Sequence, residues 1–134
     1  MILGVANVWE KRKGLNDFIE LSKLLDGDKY QIVLVGLSDK QVEEIQTNKI
    51  NIMTIARSNS AKELAEIYTA ADCFVNPTYE YNYPTVNLEA EACGTRVITY
   101  DTGGCAETIK MPESRVVKQS PNDILQEIMR IYMV

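Results

Sequence analysis

The 134-residue sequence contains no histidine. Without an imidazole, neither a Ser-His nor a Cys-His nucleophile can be assembled from this chain alone. Cysteine is scarce: Cys73, Cys93 and Cys105 are odd in number and lack the paired spacing of a zinc site or a disulfide framework. All three have apolar or small neighbours, so buried free thiols in a reducing cytoplasm are expected. Long apolar runs are missing as well. The stretch Gln31-Ile32-Val33-Leu34-Val35-Gly36 is strand-length, far short of the roughly 20 residues of a membrane span. Met1-Ile2-Leu3-Gly4-Val5 has no basic n-region and no cleavage pattern, which argues against a signal peptide. Positive charge is in deficit. A net charge of −5 argues against a nucleic-acid partner, whose binder would present a basic face. Neither G-x-G-x-x-G nor a Walker loop occurs, and Gly4 and Gly14 stand alone, so no dinucleotide-binding fingerprint is present.

What is there is an ordinary globular balance, 46% hydrophobic and 25% charged, over a length that suits one domain. Short buried-type strands alternate with amphipathic helices. Residues 2–8 read as a first strand. Residues 14–26 read as a helix with Leu15, Phe18, Ile19 and Leu25 on one face, widened by Leu21 and Leu24. Residues 30–35 and 50–55 read as strands. Ser38-Asp39-Lys40-Gln41 and Ser60-Ala61-Lys62-Glu63 have the spacing of capping boxes. The second opens a helix striped by Leu64, Ile67, Tyr68 and Ala71. Cys73-Phe74-Val75 is a brief strand stopped by Asn76-Pro77. Pro84 suits a first helical turn; that helix runs to Cys93, with Val86, Ala90 and Cys93 inward and Gly94 as its left-handed cap. Residues 96–100 form a strand. Ser120-Pro121 opens a last helix with Ile124, Leu125 and Ile128 inward and Met133-Val134 near its end. The alternation predicts an α/β fold: a Rossmann-like doubly wound parallel sheet with helices on both faces. In such sheets ligands bind at the carboxyl ends of the strands, where strand order reverses.

Four loops there carry candidate chemistry. Lys11-Arg12-Lys13 puts three cations at a helix N-terminus, against the helix dipole. A bound anion would turn that penalty into attraction, although a solvated basic turn reads the same way. In Tyr79-Glu80-Tyr81-Asn82-Tyr83-Pro84-Thr85, a polar aromatic loop opens straight into a helix. Its first amides, near Thr85, Val86 and Asn87, would form a cradle for a diphosphate. Glu89 lies four residues after Thr85, on the same face, where it would either address sugar hydroxyls or merely favour the dipole. Gly103-Gly104 allows close backbone approach to a ligand, or a tight turn. Arg57 follows a strand, where a base or a phosphate could be met.

In order, these pieces resemble the C-terminal domain of the family 4 retaining glycosyltransferases (the group 1 domain, GT-B fold). The resemblance rests on Lys13-Gly14-Leu15, Gln31 to Gly36, Glu63-Leu64-Ala65-Glu66-Ile67-Tyr68 and Gly94-Thr95-Arg96-Val97-Ile98. It rests most on Ala71-Asp72-Cys73-Phe74-Val75-Asn76-Pro77-Thr78 joined to Pro84-Thr85-Val86-Asn87-Leu88-Glu89-Ala90, with Thr102 to Glu107 following at family spacing. The resemblance implies that Lys13, with Arg12, neutralises a donor diphosphate aided by amides near Pro84, Thr85 and Val86. It implies that Glu80 and Asn82 face the donor sugar, with Glu80 and Lys13 as the catalytic pair. Glu89 would bind the ribose hydroxyls, and Arg57 would lie near the base.

Some positions depart from the family pattern. In its E-x7-E motif, the position eight before Glu89 is Tyr81, with Glu80 one place early. Val8 stands at a family arginine, Glu91 where an apolar residue is usual, and Arg96 and Ala106 where proline is common.

The implied activity is metal-independent transfer, with retention, of a sugar from a UDP- or GDP-type donor, with no further cofactor. The acceptor, a sugar or lipid-linked glycan, would be held by an N-terminal domain that these residues do not include. The setting would be polysaccharide or glycoconjugate synthesis in the cytoplasm or at the inner membrane face. Without that domain, the chain should bind donor but turn over little. The alternatives are a non-catalytic nucleotide-binding module, a decayed glycosyltransferase fragment, or a flavodoxin-like signalling domain. The last predicts an acidic pocket and is opposed by Lys11-Arg12-Lys13.

Overall fold

Apolar and β-branched residues fill six short parallel strands in the computed structural model, which describes residues 1–57 and 60–132. The strands are β1 (Ile2–Val5), β2 (Ile32–Val35), β3 (Ile52–Ile55), β4 (Cys73–Asn76), β5 (Val97–Tyr100) and β6 (Arg115–Val117). Their order across the sheet is β3-β2-β1-β4-β5-β6, with every neighbouring pair parallel. The five described helices are α1 (Leu15–Leu24), α2 (Asp39–Thr47), α3 (Ala61–Ala70), α4 (Thr85–Ala92) and α5 (Pro121–Tyr132).

Because side chains alternate along a strand, each of β1 to β5 feeds two cores. Ile2, Leu34, Val75 and Ile98 pack with Phe18 and Leu21 of α1, Ile45 of α2 and Ile124 and Ile128 of α5. Leu3, Val33, Phe74 and Val97 pack on the other side with Tyr68 of α3 and Ala90 of α4. Burial of each such large side chain stabilises the fold by roughly 1.5–3 kcal/mol.

Helix starts follow the residues that cap them. Ser38 accepts from the Gln41 amide at 3.2 Å while the Gln41 side chain accepts from the Ser38 amide at 2.9 Å, a closed capping box. The Ser60 hydroxyl accepts from the Glu63 amide at 3.2 Å. Just past α4, Gly94 has φ of 80°. Cys73, Cys93 and Cys105 are free thiols, and burial pushes Cys73 up to about 12.

Three expectations are corrected. The first strand stops at Val5: Ala6 still donates to the Val35 carbonyl at 3.2 Å, but the chain then leaves the ladder and Val8 is 55% exposed. Leu24 does not widen the buried face of α1; it is 45% exposed, with Phe18 and Leu21 filling the core. The strand β6 was not expected, since its three residues form an edge with two of them exposed and so carry no buried apolar signal. Met133-Val134 lies outside the described residues. No described helix is long and apolar enough to cross a membrane.

Candidate functional site

From β1 the strand order runs outward through β2 and β3 on one side and through β4, β5 and β6 on the other. At the carboxyl ends of β1 and β4, on either side of this reversal, opens a cleft of about 430 Å³. That volume falls within the usual range for small-ligand sites. Arg12, Lys13, Glu80, Asn82, Pro84, Thr85 and Val86 all line it, joined by Asn7, Trp9 and Thr78. The structure thus brings together seven of the nine site residues expected from sequence.

The basic wall is built around Gly14. Lys11–Lys13 form one 3-10 turn, closed by the Gly14 amide on the Lys11 carbonyl at 3.1 Å. Gly14 takes φ of 87°, and a Cβ there would stand 2.2 Å from the Pro77 carbonyl oxygen. Only glycine fits such a conformation and such a contact. The close approach lays the segment after β4 along the basic turn: the Tyr79 amide and Thr78 hydroxyl both donate to the Arg12 carbonyl, at 2.7 and 3.2 Å.

That docking aims Glu80 into the cleft. Its amide donates to the Thr78 hydroxyl at 3.0 Å, and its Oε2 lies 2.5 Å from the Lys13 ammonium. Oε2 is itself shielded from solvent, with Lys13 as its partner. Lys13 beside it holds the Glu80 carboxyl below the usual carboxylate range. Tyr81, which simple counting puts at the family's acidic position, points out at 83% exposure. Opposite stands the N-terminus of α4. Pro84 precedes the helix rather than occupying its first turn, and gives no side-chain cap. The Asn87 amide reaches the Pro84 carbonyl at 3.2 Å, while the amides of Thr85 and Val86 come too early in the helix for intrahelical partners.

A buried polar cluster beneath holds α4 in place. Asn87, with no exposed surface, accepts from the Asn76 side-chain amide at 3.0 Å and donates to Thr99 and Thr108 at 3.3 and 3.0 Å. Asn87 thus takes an inward place beside Ala90, while Val86 and Cys93 are only partly buried. Periodicity alone missed this role; a polar residue on an inward stripe was the available signal. Trp9 was missed too. Its indole donates to the Val35 carbonyl at 2.9 Å and its ring meets Phe18 edge-on, forming part of the cleft floor.

Two expected residues lie apart. Glu89 is exposed on α4 and does not line the cleft; the Tyr68 hydroxyl donates to its Oε2 at 3.2 Å. Arg57 donates to the Asn7 carbonyl and lines a shallower hollow of about 640 Å³. That hollow shares Asn7, Val8 and Trp9 with the cleft. Gly103 and Gly104 approach the Glu80 loop rather than the cleft: a Cβ on Gly103 would lie 2.8 Å from the Tyr81 Cα, and the Gly104 amide donates to the Asn82 carbonyl at 2.9 Å. Glu91, acidic where the family is apolar, anchors the segment before β6. It accepts from the Lys110 and Met111 amides and the Ser114 hydroxyl at 2.7–3.1 Å. Among the described residues no three His, Cys, Asp or Glu side chains cluster as metal ligands would.

Known proteins resemble this chain in sequence and fold. A Campylobacter jejuni N,N'-diacetylbacillosaminyl-diphospho-undecaprenol alpha-1,3-N-acetylgalactosaminyltransferase is 32% identical over 110 residues, covering 81% of this chain and 28% of that protein. Sucrose-phosphate synthase from Thermosynechococcus elongatus superposes with a TM-score of 0.79 at 27% identity, over 97% of this chain and 35% of that one. The Anabaena protein HepE, solved with UDP and glucose, shares the fold with a TM-score of 0.81 at 14% identity, over 98% of this chain and 38% of that one. The chain therefore spans about a third of the length of these proteins. The family profile described as glycosyl transferases group 1 matches residues 2–132, and the chain belongs to that family.

Proposed function

We propose that this chain binds a nucleotide-diphosphate sugar and forms the donor half of a retaining, metal-independent glycosyltransferase. One observation carries the reading: Lys13 and Glu80 meet at 2.5 Å in a cleft at the strand-order reversal, opposite the amides that open α4. Lys13, flanked by Arg12, and the amides of Thr85 and Val86 would receive the diphosphate. As the bond from sugar to diphosphate lengthens, negative charge grows on the leaving oxygen, and fixed positive groups there stabilise the transition state more than the ground state. Glu80, released from Lys13 by the diphosphate, would turn to sugar hydroxyls together with Asn82. Glu89, oriented by Tyr68, would meet the ribose, and the hollow beside Arg57 would take the base.

A second domain, N-terminal in the whole protein, would hold the acceptor sugar or lipid-linked glycan. The setting would be polysaccharide or glycoconjugate synthesis in the cytoplasm, peripheral to the inner membrane face. The name of the Campylobacter relative, a transferase acting on an undecaprenol-linked sugar, supports this class of acceptor. The co-crystallised UDP of the Anabaena protein supports a uridine donor over a guanosine one.

Isothermal titration with UDP, GDP and their hexose conjugates tests the reading. Saturable binding of one nucleotide series is expected, with little turnover from these 134 residues alone. Absence of binding at millimolar concentration would overturn it. That result would favour a decayed or non-catalytic domain, the reading to which Val8, uncharged and exposed at a family arginine position, also points.

A further inference from the structure

Behind the cleft, outside the groups assigned to donor binding, one carboxylate joins three elements. Asp17, in the first turn of α1, accepts from two tyrosine hydroxyls on the same oxygen, Tyr79 and Tyr100, each at 2.5 Å. Such distances are those of charge-assisted hydrogen bonds between a hydroxyl and a carboxylate. The two rings also meet edge-on, with centroids 5.4 Å apart. Each tyrosine adjoins a loop that shapes the cleft. Tyr79 immediately precedes Glu80, and Tyr100 ends β5 just before the segment whose Gly104 amide grips the Asn82 carbonyl. Asp17 itself stands four residues after Lys13, across the Gly14 junction. The carboxylate therefore couples the helix that follows the basic turn to both loops that place the acidic partner of Lys13.

We propose that Asp17 is a positioning residue for the donor cleft: by holding Tyr79 and Tyr100 it fixes Glu80 opposite Lys13. It touches no ligand-facing group itself. An unanchored Tyr79 would leave the Glu80 loop held mainly by its bonds to the Arg12 carbonyl and by the Gly104 contact. Glu80 would then sample positions away from the ammonium.

The groups facing Glu80 are Lys13 and, more distantly, Arg12. Its own titration, read from the side-chain carboxyl carbon by NMR in the free protein, therefore reports its position. Two possible roles of Asp17 shift that titration in opposite directions. Deleting a nearby negative charge lowers the value of a carboxyl, whereas separating Glu80 from Lys13 raises it. We expect Asp17→Ala and Tyr79→Phe to raise it towards the ordinary carboxylate range. Asp17→Asn keeps an acceptor oxygen while removing the charge, and should leave it at or below the wild-type value. Tyr79→Phe keeps the ring and changes no charge, so it decides the matter if Asp17→Ala fails to fold. An unchanged or lowered Glu80 titration in folded Asp17→Ala and Tyr79→Phe overturns the proposal.

A second measurement rests on the donor-binding reading above. The preference for UDP-hexose over UDP should fall about tenfold in Asp17→Ala, the scale of one well-made hydrogen bond. If the wild-type chain binds no nucleotide, the donor reading fails, while the Glu80 titration still decides the role of Asp17.

Discussion

Two polar clusters lie against the N-terminal half of α4, and they are built to opposite ends. The inner one joins Asn76, Asn87, Thr99 and Thr108, all neutral and all buried or nearly so. The outer one joins Lys13 and Glu80, both charged and partly open to solvent, with side-chain exposures of 34% and 24%. In the inner cluster the Asn87 amide is wholly committed to its neighbours, accepting from Asn76 and donating to Thr99 and Thr108. In the outer cluster Lys13 and Glu80 pair directly, with Arg12 farther off, and a ligand that brings its own charge can exchange for either partner. Low dielectric makes the buried set costly to break and the exposed pair cheap to break. Stability belongs to one cluster and binding to the other.

Substitution separates them most sharply at Asn87. Asn87→Ala removes a fully buried amide and strands the Asn76 amide, while the Thr99 and Thr108 hydroxyls lose a donor but keep their bonds to the Asn76 and Cys105 carbonyls. Unfolding by urea should show a loss of about 3 kcal/mol, combining unsatisfied groups with a small cavity. A loss under about 1 kcal/mol would mean that the network rearranges and does not hold α4. Lys13→Ala should do the reverse: weaken nucleotide-sugar binding by roughly 1–3 kcal/mol, as seen by calorimetry, while stability changes by less than about 1 kcal/mol. Equal affinity in wild type and variant would remove Lys13 from the site. Glu89→Ala should weaken binding on the same scale as Lys13→Ala. Tyr68→Phe, which only frees the Glu89 carboxylate, should cost about threefold in affinity, within the net worth of one neutral hydrogen bond. A larger effect there than in Glu89→Ala would show that Tyr68 acts other than through Glu89.

The same division governs what the sequence reveals. Strands and helices repeat at their own periods, so five of the six strands and four of the five described helices are legible from apolar spacing, while the polar α2 is legible from its capping box. The sixth strand escapes because an exposed three-residue edge has no period to show. The basic turn and the α4 amides are legible as well, since helix termini have a chemistry of their own. The partners of Asn87 are not: they lie 11, 12 and 21 residues away, brought together only by the sheet order. The Glu80 offset is an intermediate case. Counting residues puts Tyr81 at the family's acidic position, but two bonds to the Arg12 carbonyl and one from the Glu80 amide to Thr78 turn the loop so that Glu80 faces Lys13. Spacing rules assume a fixed backbone path, and an anchored loop need not follow it.

The smallest expected effect distinguishes the clusters by charge alone. Lys13 holds the Glu80 carboxyl below its ordinary range, so the unfolded chain takes up that proton at a higher pH than the folded one. The pair therefore stabilises the fold fully above the unfolded carboxyl value of roughly 4, and the contribution disappears as pH falls through the lower folded value. With both partners partly exposed, the amount is under about 1 kcal/mol and shrinks further in high salt. The stability difference between wild type and Lys13→Ala should accordingly be flat from pH 8 to 6 and vanish on acidification below roughly pH 4. The Asn87→Ala difference should stay constant across the same range, because none of its partners titrates there. A Lys13→Ala penalty that persists in acid would mean that the aliphatic stem of Lys13 packs to hold the loop and its charge does not, and the contrast between the two clusters would then be one of burial alone.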